Sequence, residues 1–294
     1  MTNDNSRIAD LSFLIVGTVR NCQSTITSEV RHLNQVFVGA AQVRWLLVES
    51  DSDDNTLDCL SSLKTEVGLF DYLAMGRLKD QFPERARRIA VCRDAYVKEI
   101  QRRPEYSEVD YVVVADLDGM CRDLTAESVE SCWSRNDWLA CFGNQPKGYY
   151  DLWALRHESW SPKDPFRTYR ELVTLGVKPA IAYKTSVIDK ILKIETNIPW
   201  IAVESAFGGL GIYRIEAFKH ADYSVDGEYP ADTCEHTTFN RKLGVSSSKL
   251  YINPSLVNIQ YSNHVTQLKL KYFLMRVFGM SFFEKLKLLS KFFR

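Results

Sequence analysis

The stretch "YVVVADLDGM" (111–120) constrains the fold more than any other part of this chain. Its five apolar residues run directly into two aspartates one residue apart, and a glycine follows. A continuous β-branched run predicts a strand buried on both faces, as in the middle of a parallel sheet. Two carboxylates at the end of such a strand are costly unless a cation lies beside them. The pattern therefore predicts a ligand or cation site at Asp116 and Asp118, with a solvated loop as the alternative.

Strand-like and helix-like segments alternate through the first two-fifths of the chain. "SFLIVGT" (12–18) and "VRWLLVES" (43–50) are typical of strands, and residues 25–38, the segment from about Thr56, and residues 84–103 have helical spacing. This alternation predicts right-handed crossovers in a mostly parallel, doubly wound sheet, and thus an α/β fold. Ligands of such sheets bind beyond the carboxyl ends of the strands, which is where "ESDSDDN" and "DLD" fall.

The second half of the chain is more irregular and rich in aromatic residues. "ESAFGGLGIYR" (204–214) predicts a glycine-rich loop that enters a strand. "DTCEHTTFNRKLG" (232–244) predicts a short helix ended by its glycine, and "SKLYINPSL" (248–256) predicts a last strand. We expect one large domain over residues 1–266 and a helical tail over residues 267–294.

Composition excludes some classes of protein. Lys plus Arg and Asp plus Glu both number 37, which argues against a nucleic-acid partner. The seven cysteines form no CxxC pairs, so they indicate reduced thiols in a cytoplasmic protein. The first residues do not resemble a signal peptide, and no apolar run reaches the roughly 18 residues that a spanning helix needs.

The tail combines basic and apolar residues. Residues 267–294 contain seven Lys and Arg and one Glu. On a helix, one face would carry Glu284, Lys287, Lys291 and Arg294, and the opposite face Phe282, Leu286, Leu289 and Phe293. Such a helix is typical of segments that lie on an anionic membrane surface, and packing on the domain is the alternative. We expect a peripheral protein on the inner face of the membrane.

Two chemistries place Asp-x-Asp at the end of a strand. In one, the carboxylates hold Mn²⁺ or Mg²⁺, which bridges a diphosphate and neutralises its charge as a glycosidic bond breaks. In the other, "DLDGM" resembles the motif of haloacid-dehalogenase-type phosphatases, in which Asp116 would be the nucleophile. That family carries the motif on its first strand and completes it with a later acidic motif, and this chain does neither. The phosphatase stays as the alternative.

Two further stretches resemble glycosyltransferases of the GT-A fold, including family 2-like transferases. "LLVESDSDDNT" (46–56) resembles their V-D-D-G-S-x-D-x-T segment, so the resemblance implies that Glu49 and Asp51 bind the nucleotide. An acidic turn that only caps a helix is the alternative. "RIAVCRDAYV" (88–97) resembles their R-x-x-A-x-x-R-N helix, in which Arg93 would position the nucleotide or an aspartate; Asp94 replaces the usual asparagine.

The second half is similar to the capsule-associated α-mannosyltransferases of fungi and their bacterial relatives. The similarity lies in "YYDLWALR" (149–156), in the loop 205–214, and in an acid before a helix at Glu235 and His236. It implies sugar or acceptor binding by Tyr150, Asp151 and Trp153, and close approach of the donor to Gly208 and Gly209. A core position for Trp153 and a simple tight turn at the glycines are the alternatives.

Two more roles follow from the resemblance. Glu235 lies where inverting members keep the general base, although its spacing from Asp232 also fits a helix-capping box. His264 lies where several families add a histidine to the metal shell, and a surface histidine is the alternative. The fungal resemblance favours retention of stereochemistry and Glu235 favours inversion.

The sequence thus predicts a metal-dependent transferase of the GT-A fold. Its donor would be a GDP- or UDP-linked sugar, and its acceptor a glycan or glycolipid of a cell-surface polysaccharide pathway. A nucleotidyltransferase would need a glycine-rich loop after the first strand, where this chain has "GTVRNCQ". A carbohydrate- or membrane-binding module without catalysis is the other alternative, and it would tolerate the loss of Asp118.

Overall fold

The computed structural model describes residues 7–224, 233–244 and 249–292, with side chains up to residue 279. Its strands are β1 Ser12–Val19, β2 Gln42–Glu49, β3 Phe70–Ala74, β4 Tyr111–Ala115, β5 Ala140–Asn144, β6 Ile201–Ala202, β7 Leu210–Arg214 and β8 Leu250–Val257. They form a central eight-stranded sheet in the order β3-β2-β1-β4-β7-β5-β8-β6. The helices are α1 Ile26–Val36, α2 Thr56–Glu66, α3 Arg85–Arg102, α4 Pro104–Ser107, α5 Ala126–Glu130, α6 Pro165–Thr174, α7 Pro179–Ser186, α8 Glu235–Lys242 and α9 Asn263–Phe292.

The first four strands in space form a parallel block. β1 pairs in parallel with β2 and with β4, and β3 pairs in parallel with β2. β7 runs antiparallel between β4 and β5, while β8 returns parallel to β5. The mixed α/β architecture with a mostly parallel sheet, which the sequence predicted, is therefore confirmed. The parallel block brings the carboxyl ends of β1, β2 and β4 to one edge of the sheet.

Apolar side chains cover both faces of the sheet. On one face Tyr96 and Ile100 of α3 lie in a cluster with Val112 and Val114 of β4. On the other face the buried residues of α1, such as Leu33, join a cluster with Val113. β4 is thus buried on both sides, as its continuous β-branched run predicts.

The helix α3 carries a half-buried carboxylate that is expected to make stability depend on pH. Asp94 Oδ1 accepts a hydrogen bond from the backbone N–H of Tyr223 at 2.6 Å. Burial nevertheless raises the pKa of Asp94 to about 6, and Asp222 adds to the rise. Because the folded state then holds its proton more tightly than the unfolded chain, stability falls as pH rises from about 4 to about 6.

We expect Asp94→Asn to be more stable than the natural protein at pH 7. The amide oxygen of asparagine can accept the same hydrogen bond without a charge, and one pKa unit corresponds to ~1.4 kcal/mol. We expect a gain of about 1–2 kcal/mol at pH 7 and no gain at pH 4. Urea unfolding at both pH values measures this, and an equal effect at the two pH values would contradict it.

The C-terminal helix α9 contains a break. Gly279 has φ 73° and ψ 171°, which are not helical values. Within the described part of the chain no helix is both long and apolar enough to cross a membrane. The polar and apolar faces predicted for residues 282–294 involve side chains outside the described residues, so the membrane role of the tail stays a prediction.

Candidate functional site

A cleft of about 390 Å³ opens at the carboxyl ends of β1, β2 and β4. Its walls include basic, acidic and aromatic side chains: Arg20, Arg85, Arg88, Arg93, Asp51, Asp116, Asp118, Asp151, Glu235, Tyr150, Trp153, Phe207, His236 and His264. Most of the predicted site residues therefore meet in one cavity, although they come from distant parts of the chain. Glu49, Gly208 and Gly209 do not line this cavity.

Arg93 lies at the centre of the polar wall. It is 3% exposed, and its Nε donates to Glu235 Oε1 at 3.2 Å while its Nη2 donates to Asp116 Oδ1 at 3.3 Å. Nη1 donates to the hydroxyl of Tyr96 at 3.3 Å. The guanidinium also lies 5.2 Å from the centre of the Phe207 ring. One arginine on α3 thus fixes the acid after β4 and the acid that begins α8.

Burial and the neighbouring charges of the cleft shift the pKa of Asp116. Burial raises the pKa of Asp116, and Asp118, Asp151 and Glu235 raise it further, whereas Arg93 lowers it. Because 34% of the side chain stays exposed, water opposes this rise. Asp116 and these three other carboxylates leave a local excess of negative charge in this part of the cleft, and a divalent cation would relieve it.

Asp116 and Asp118 carry the oxygen donors that a hard metal ion prefers. Asp116, Asp118 and His264 all line the cleft. However, no group of three or more His, Cys, Asp or Glu side chains among the described residues is arranged to hold a metal ion. The His264 ring instead stacks on Tyr150, with ring centres 5.0 Å apart. Metal binding by Asp116, Asp118 and His264 therefore stays a prediction.

The acidic turn after β2 is held by the protein itself. Glu49 is buried, and its Oε1 accepts the backbone N–H of Ser52 at 2.9 Å. Asp51 has φ 60° and its Oδ1 accepts the N–H of Lys79 at 2.9 Å. Arg88 Nε lies 3.6 Å from Asp51 Oδ2. Asp51 reaches the cleft, whereas Glu49 shapes the turn, and nucleotide binding by both remains a prediction.

The two adjacent glycines support the Asp-x-Asp segment. Gly208 and Gly209 have φ of 70° and 87°, which strongly favours glycine. The carbonyl of Gly209 accepts the N–H of Asp116 at 2.9 Å, and Asp151 Oδ2 accepts the N–H of Gly208 at 2.9 Å. These bonds position the backbone of Asp116 and engage one oxygen of Asp151. The tight turn, one of the alternatives from the sequence, is therefore present, and donor contact with the glycines stays a prediction.

We expect Gly209→Ala to destabilise the protein by about 2–3 kcal/mol. A left-handed backbone costs an alanine roughly 1 kcal/mol, and its Cβ would lie 3.1 Å from Cβ of Met120. Gly176 is a matched control, since it has the same φ of 87° and open space at its Cβ. Thermal unfolding of both variants should show a larger loss for Gly209→Ala; equal losses would contradict the crowding at Gly209.

Tyr150 and Trp153 form an aromatic edge of the cleft. Both are partly exposed, and Trp153 lines this cleft as well as a neighbouring cavity. Trp153 also packs on the core, so the core alternative holds for part of its surface. Burial raises the pKa of Tyr150 far above its usual range, so its hydroxyl remains protonated. Their exposed faces suit a sugar, and sugar binding by them stays a prediction.

Glu235 is the first residue of α8, and its side chain bonds to Arg93. The N-cap of α8 is Cys234, which makes no side-chain capping bond, and the Glu235 side chain turns to Arg93 instead. The capping-box alternative also involved Asp232, which lies outside the described residues. Glu235 is 4% exposed and its Oε2 lies 3.9 Å from Cys234 Sγ. A buried carboxylate at the cleft wall can accept a proton, which is the chemistry that the general-base hypothesis needs.

Several cleft residues were not found from the sequence. Arg20, Arg85 and Arg88 add positive charge to the cleft, and Arg20 Nε donates to the carbonyl of Asp51 at 3.1 Å. His236, already named beside Glu235 from its motif, stacks on Phe207 with ring centres 3.7 Å apart. Burial lowers the pKa of His236 far below its usual range and Arg93 adds to this, so its ring is neutral.

The whole chain can be compared with known proteins and solved structures. No protein-family model matches the chain, and no curated protein matches it. Solved structures with a similar path of the chain include the mannosyltransferase PcManGT from Pyrobaculum calidifontis in complex with GDP-Man and Mn²⁺, at 10% identity and a TM-score of 0.46. That match covers 84% of this chain and 56% of the other, so this chain spans just over half of the length of PcManGT.

Two further structures show the same level of similarity. S. aureus TarS 1–349 in complex with UDP-GlcNAc has 10% identity and a TM-score of 0.43, covering 82% of this chain and 56% of the other. The galactosyltransferase LgtC, in complex with donor and acceptor sugar analogues, has 13% identity and a TM-score of 0.37, covering 86% and 70%. The likeness of these three structures to the chain concerns the general path of the chain alone.

Proposed function

We propose that this protein is a glycosyltransferase that uses a nucleotide-diphospho-sugar donor and a divalent metal ion. The observation that carries the proposal is the cleft beyond β1, β2 and β4, which four arginines and five carboxylates line together. A diphosphate between a cation held by acids and a set of arginines would have its charge balanced on both sides. Residues 1–266 would form the catalytic domain, and residues 267–294 the tail.

The donor would occupy the side of the cleft between β1, β2 and α3. Asp51, Arg20 and Arg88 line this side and are linked to one another through Asp51. Acids at the end of the second strand suit the hydroxyls of a ribose or the N–H groups of a base. Guanidinium groups suit phosphate oxygens, because they donate in a planar fork.

Asp116 and Asp118 would hold the metal ion, Mn²⁺ or Mg²⁺. The ion would neutralise the negative charge that develops on the nucleoside diphosphate as it leaves. Arg93 would keep Asp116 in place through its bond to Oδ1, and Gly209 would hold the Asp116 backbone. The chain thus fixes one carboxylate firmly and presents the other, exposed one toward the cavity.

Glu235 would take the proton from the attacking hydroxyl of the acceptor. Arg93 holds Glu235 Oε1, so the remaining oxygen would be the proton acceptor. The exposed faces of Tyr150 and Trp153 would pack against sugar C–H surfaces near this acid. We propose a hexosyl group as the transferred sugar, and mannose from GDP-mannose as the first candidate because of the motif resemblance stated above.

The acceptor would be a glycan or glycolipid of a cell-surface polysaccharide. The basic and apolar composition of residues 267–294 supports contact with an anionic membrane surface. Such contact would bring a transferase close to a lipid-linked acceptor.

A thermal-shift screen tests the proposed function. The protein is heated with GDP, UDP, CMP or vanadate, each with and without Mn²⁺, and the screen is repeated on Asp118→Asn. We expect a manganese-dependent rise of Tm with GDP or UDP, because a ligand at ~100 times its Kd adds roughly 2.7 kcal/mol. Asp58→Asn, on the exposed side of α2, is the matched control and should keep the shift.

Each of the other outcomes of the screen would count against part or all of the proposed function. A shift with vanadate alone would support the phosphatase, with Asp116 as its nucleophile. A nucleotide shift that persists in Asp118→Asn would remove Asp118 from the site. Shifts with none of the ligands would leave a binding module without catalysis, and the transferase proposal would be wrong.

A further inference from the structure

The part of helix α9 before its break carries apolar side chains on two opposite faces. The first face packs on the domain through side chains that join an apolar cluster of the core, namely Leu268, Tyr272 and Met275. The second face carries Leu270, Phe273 and Val277, which are 53%, 55% and 53% exposed. Because residues three, four and seven positions apart share one side of a helix, these three side chains form one apolar strip. The apolar strip therefore faces away from the domain.

Basic side chains border the apolar strip. Residues 263–279 contain three Lys and Arg and no Asp or Glu. Two of the three cations, Lys269 and Arg276, are exposed. They lie four residues before and three residues after Phe273, so both lie beside the strip on the helix surface. Exposed apolar side chains edged with cations fit a surface that is apolar inside and anionic at its rim.

A second copy of the chain fits this face of α9 less well. Two strips brought together would also bring the Lys269 and Arg276 of both copies together, and like charges across an interface oppose association. Three half-exposed side chains also offer far less area than the roughly 800 Å² per partner that a stable protein interface buries. An anionic bilayer meets both conditions, because its acyl region accepts apolar side chains and its phosphates attract Lys and Arg.

We propose that the apolar strip inserts into the interface of an anionic membrane, with Lys269 and Arg276 against the lipid phosphates. This surface lies before the break in α9, so it differs from the faces predicted for residues 282–294. At a rise of about 1.5 Å per residue, Leu270 lies about 9 Å along the helix axis from His264, which lines the cleft. The membrane would thus lie close to the cleft, and its role in presenting a lipid-linked acceptor rests on the proposed function.

Co-sedimentation of the full chain with vesicles tests this proposal. One set of vesicles contains phosphatidylcholine with phosphatidylglycerol, and the other contains phosphatidylcholine alone. The test variant replaces the apolar strip, as Leu270→Gln/Phe273→Gln/Val277→Gln. The control variant replaces three exposed apolar residues elsewhere on the molecule, as Val38→Gln/Leu57→Gln/Leu69→Gln.

We expect the Kd for the mixed vesicles to rise at least about tenfold in the test variant and to stay within about twofold in the control, because only the strip loses apolar burial. The natural protein should also bind phosphatidylcholine alone at least about tenfold more weakly, since the cations then lose their anionic partners.

A second pair of variants tests the charges beside the strip. Lys269→Gln/Arg276→Gln should raise the Kd for the mixed vesicles at least about fivefold and leave the weak binding to phosphatidylcholine unchanged. Lys219→Gln/Lys249→Gln removes two other exposed cations and should bind as the natural protein does. Equal effects of the two pairs would contradict a specific contact of Lys269 and Arg276 with the membrane.

A fluorophore reports insertion directly. Nitrobenzoxadiazole on Phe273→Cys should brighten and shift to shorter wavelength with mixed vesicles, because its surroundings become apolar. The same label on Leu57→Cys should not change. Both variants also carry Cys59→Ser, because Cys59 is partly exposed whereas the other six cysteines are buried.

Four results would overturn the proposal. They are the absence of binding to mixed vesicles, equal losses in the test and control variants, an unchanged fluorophore at Phe273→Cys, and unchanged binding in the test variant, which would assign the contact to residues 280–294. In sedimentation velocity without lipid, a dimer that separates in the test variant would assign the strip to a second copy and would likewise overturn it.

The same variants separate this proposal from the proposed function. Nucleotide binding with Mn²⁺ should be unchanged in the test variant, because the apolar strip does not line the cleft. Vesicle binding without nucleotide binding would support the membrane surface and remove the transferase. Nucleotide binding without vesicle binding would support the transferase and remove the membrane surface.

Discussion

Replacing Arg93 with methionine is expected to lower the free energy of unfolding by about 3 kcal/mol and to abolish sugar transfer. Methionine fills similar space but leaves Glu235 buried without its 3.2 Å bond and Asp116 without its 3.3 Å bond. Removing one partner of a buried ion pair costs roughly 3–5 kcal/mol, because the other charge remains buried. For a chain of this size the loss corresponds to a Tm roughly 6–12 °C lower.

A double-mutant cycle makes this prediction specific to the ion pair. Arg93→Met/Glu235→Gln should lose less stability than the sum of the two single variants, because the uncompensated carboxylate is gone. Arg103→Met is the control, since Arg103 pairs with Glu99 at the end of α3 where solvent reaches the guanidinium. It should cost less than about 1 kcal/mol. Additive single effects, or a small loss in Arg93→Met, would contradict the central role of Arg93.

The parallel half of the fold could be predicted from the sequence because its signals are local. The runs that form β1, β2 and β4 are apolar and end at polar turns, and their observed bounds lie within a residue or so of the predicted ones. The bounds of helix α3 were likewise predicted, from the helical spacing of its apolar residues. Because Asp51, Asp116 and Asp118 follow these strands directly, the sequence predicted that they lie at one edge of the sheet. In the structure all three line the same cleft at that edge.

Other elements were missed for physical reasons. β3 and β5 are five residues long, and β5 includes a glycine, so neither shows a clear period. The helices α6 and α7 lie in the aromatic region that looked irregular. Their starts do carry helix-start signals in the sequence, namely Asp164 before Pro165 and a proline at the first position of α7.

The pairings within the site could not be predicted from the sequence. Arg93 and Glu235 are 142 positions apart, and nothing local to either residue indicates that they meet. Arg20 could have been found, because it follows β1 at the same edge as the acids. Glu49 faces the protein because its carboxylate accepts a backbone N–H of its own turn, and the motif alone does not show this.

Replacing Glu235 with glutamine is expected to slow turnover at least 100-fold while leaving donor affinity within about threefold. Positioned proton transfer typically contributes 10²–10⁴-fold to the rate, and an amide of the same shape cannot accept the proton. Arg93 keeps its bonds to Asp116 and Tyr96, so the fold should lose only about 1–2 kcal/mol. Release of nucleoside diphosphate, with water or an added acceptor, measures turnover, and thermal shift measures donor binding.

Three variants distinguish a base from a residue that only supports Arg93. Glu204→Gln changes an exposed carboxylate near the cleft loop and should behave as the natural protein. Glu235→Asp keeps a carboxylate and should recover part of the turnover that Glu235→Gln loses. If Glu235 only positions Arg93, then Glu235→Gln should weaken donor binding as much as it slows turnover, because Arg93 would act through Asp116 and the metal site. A fall in turnover alone therefore assigns the proton to Glu235, whereas a parallel fall in both assigns it to another group.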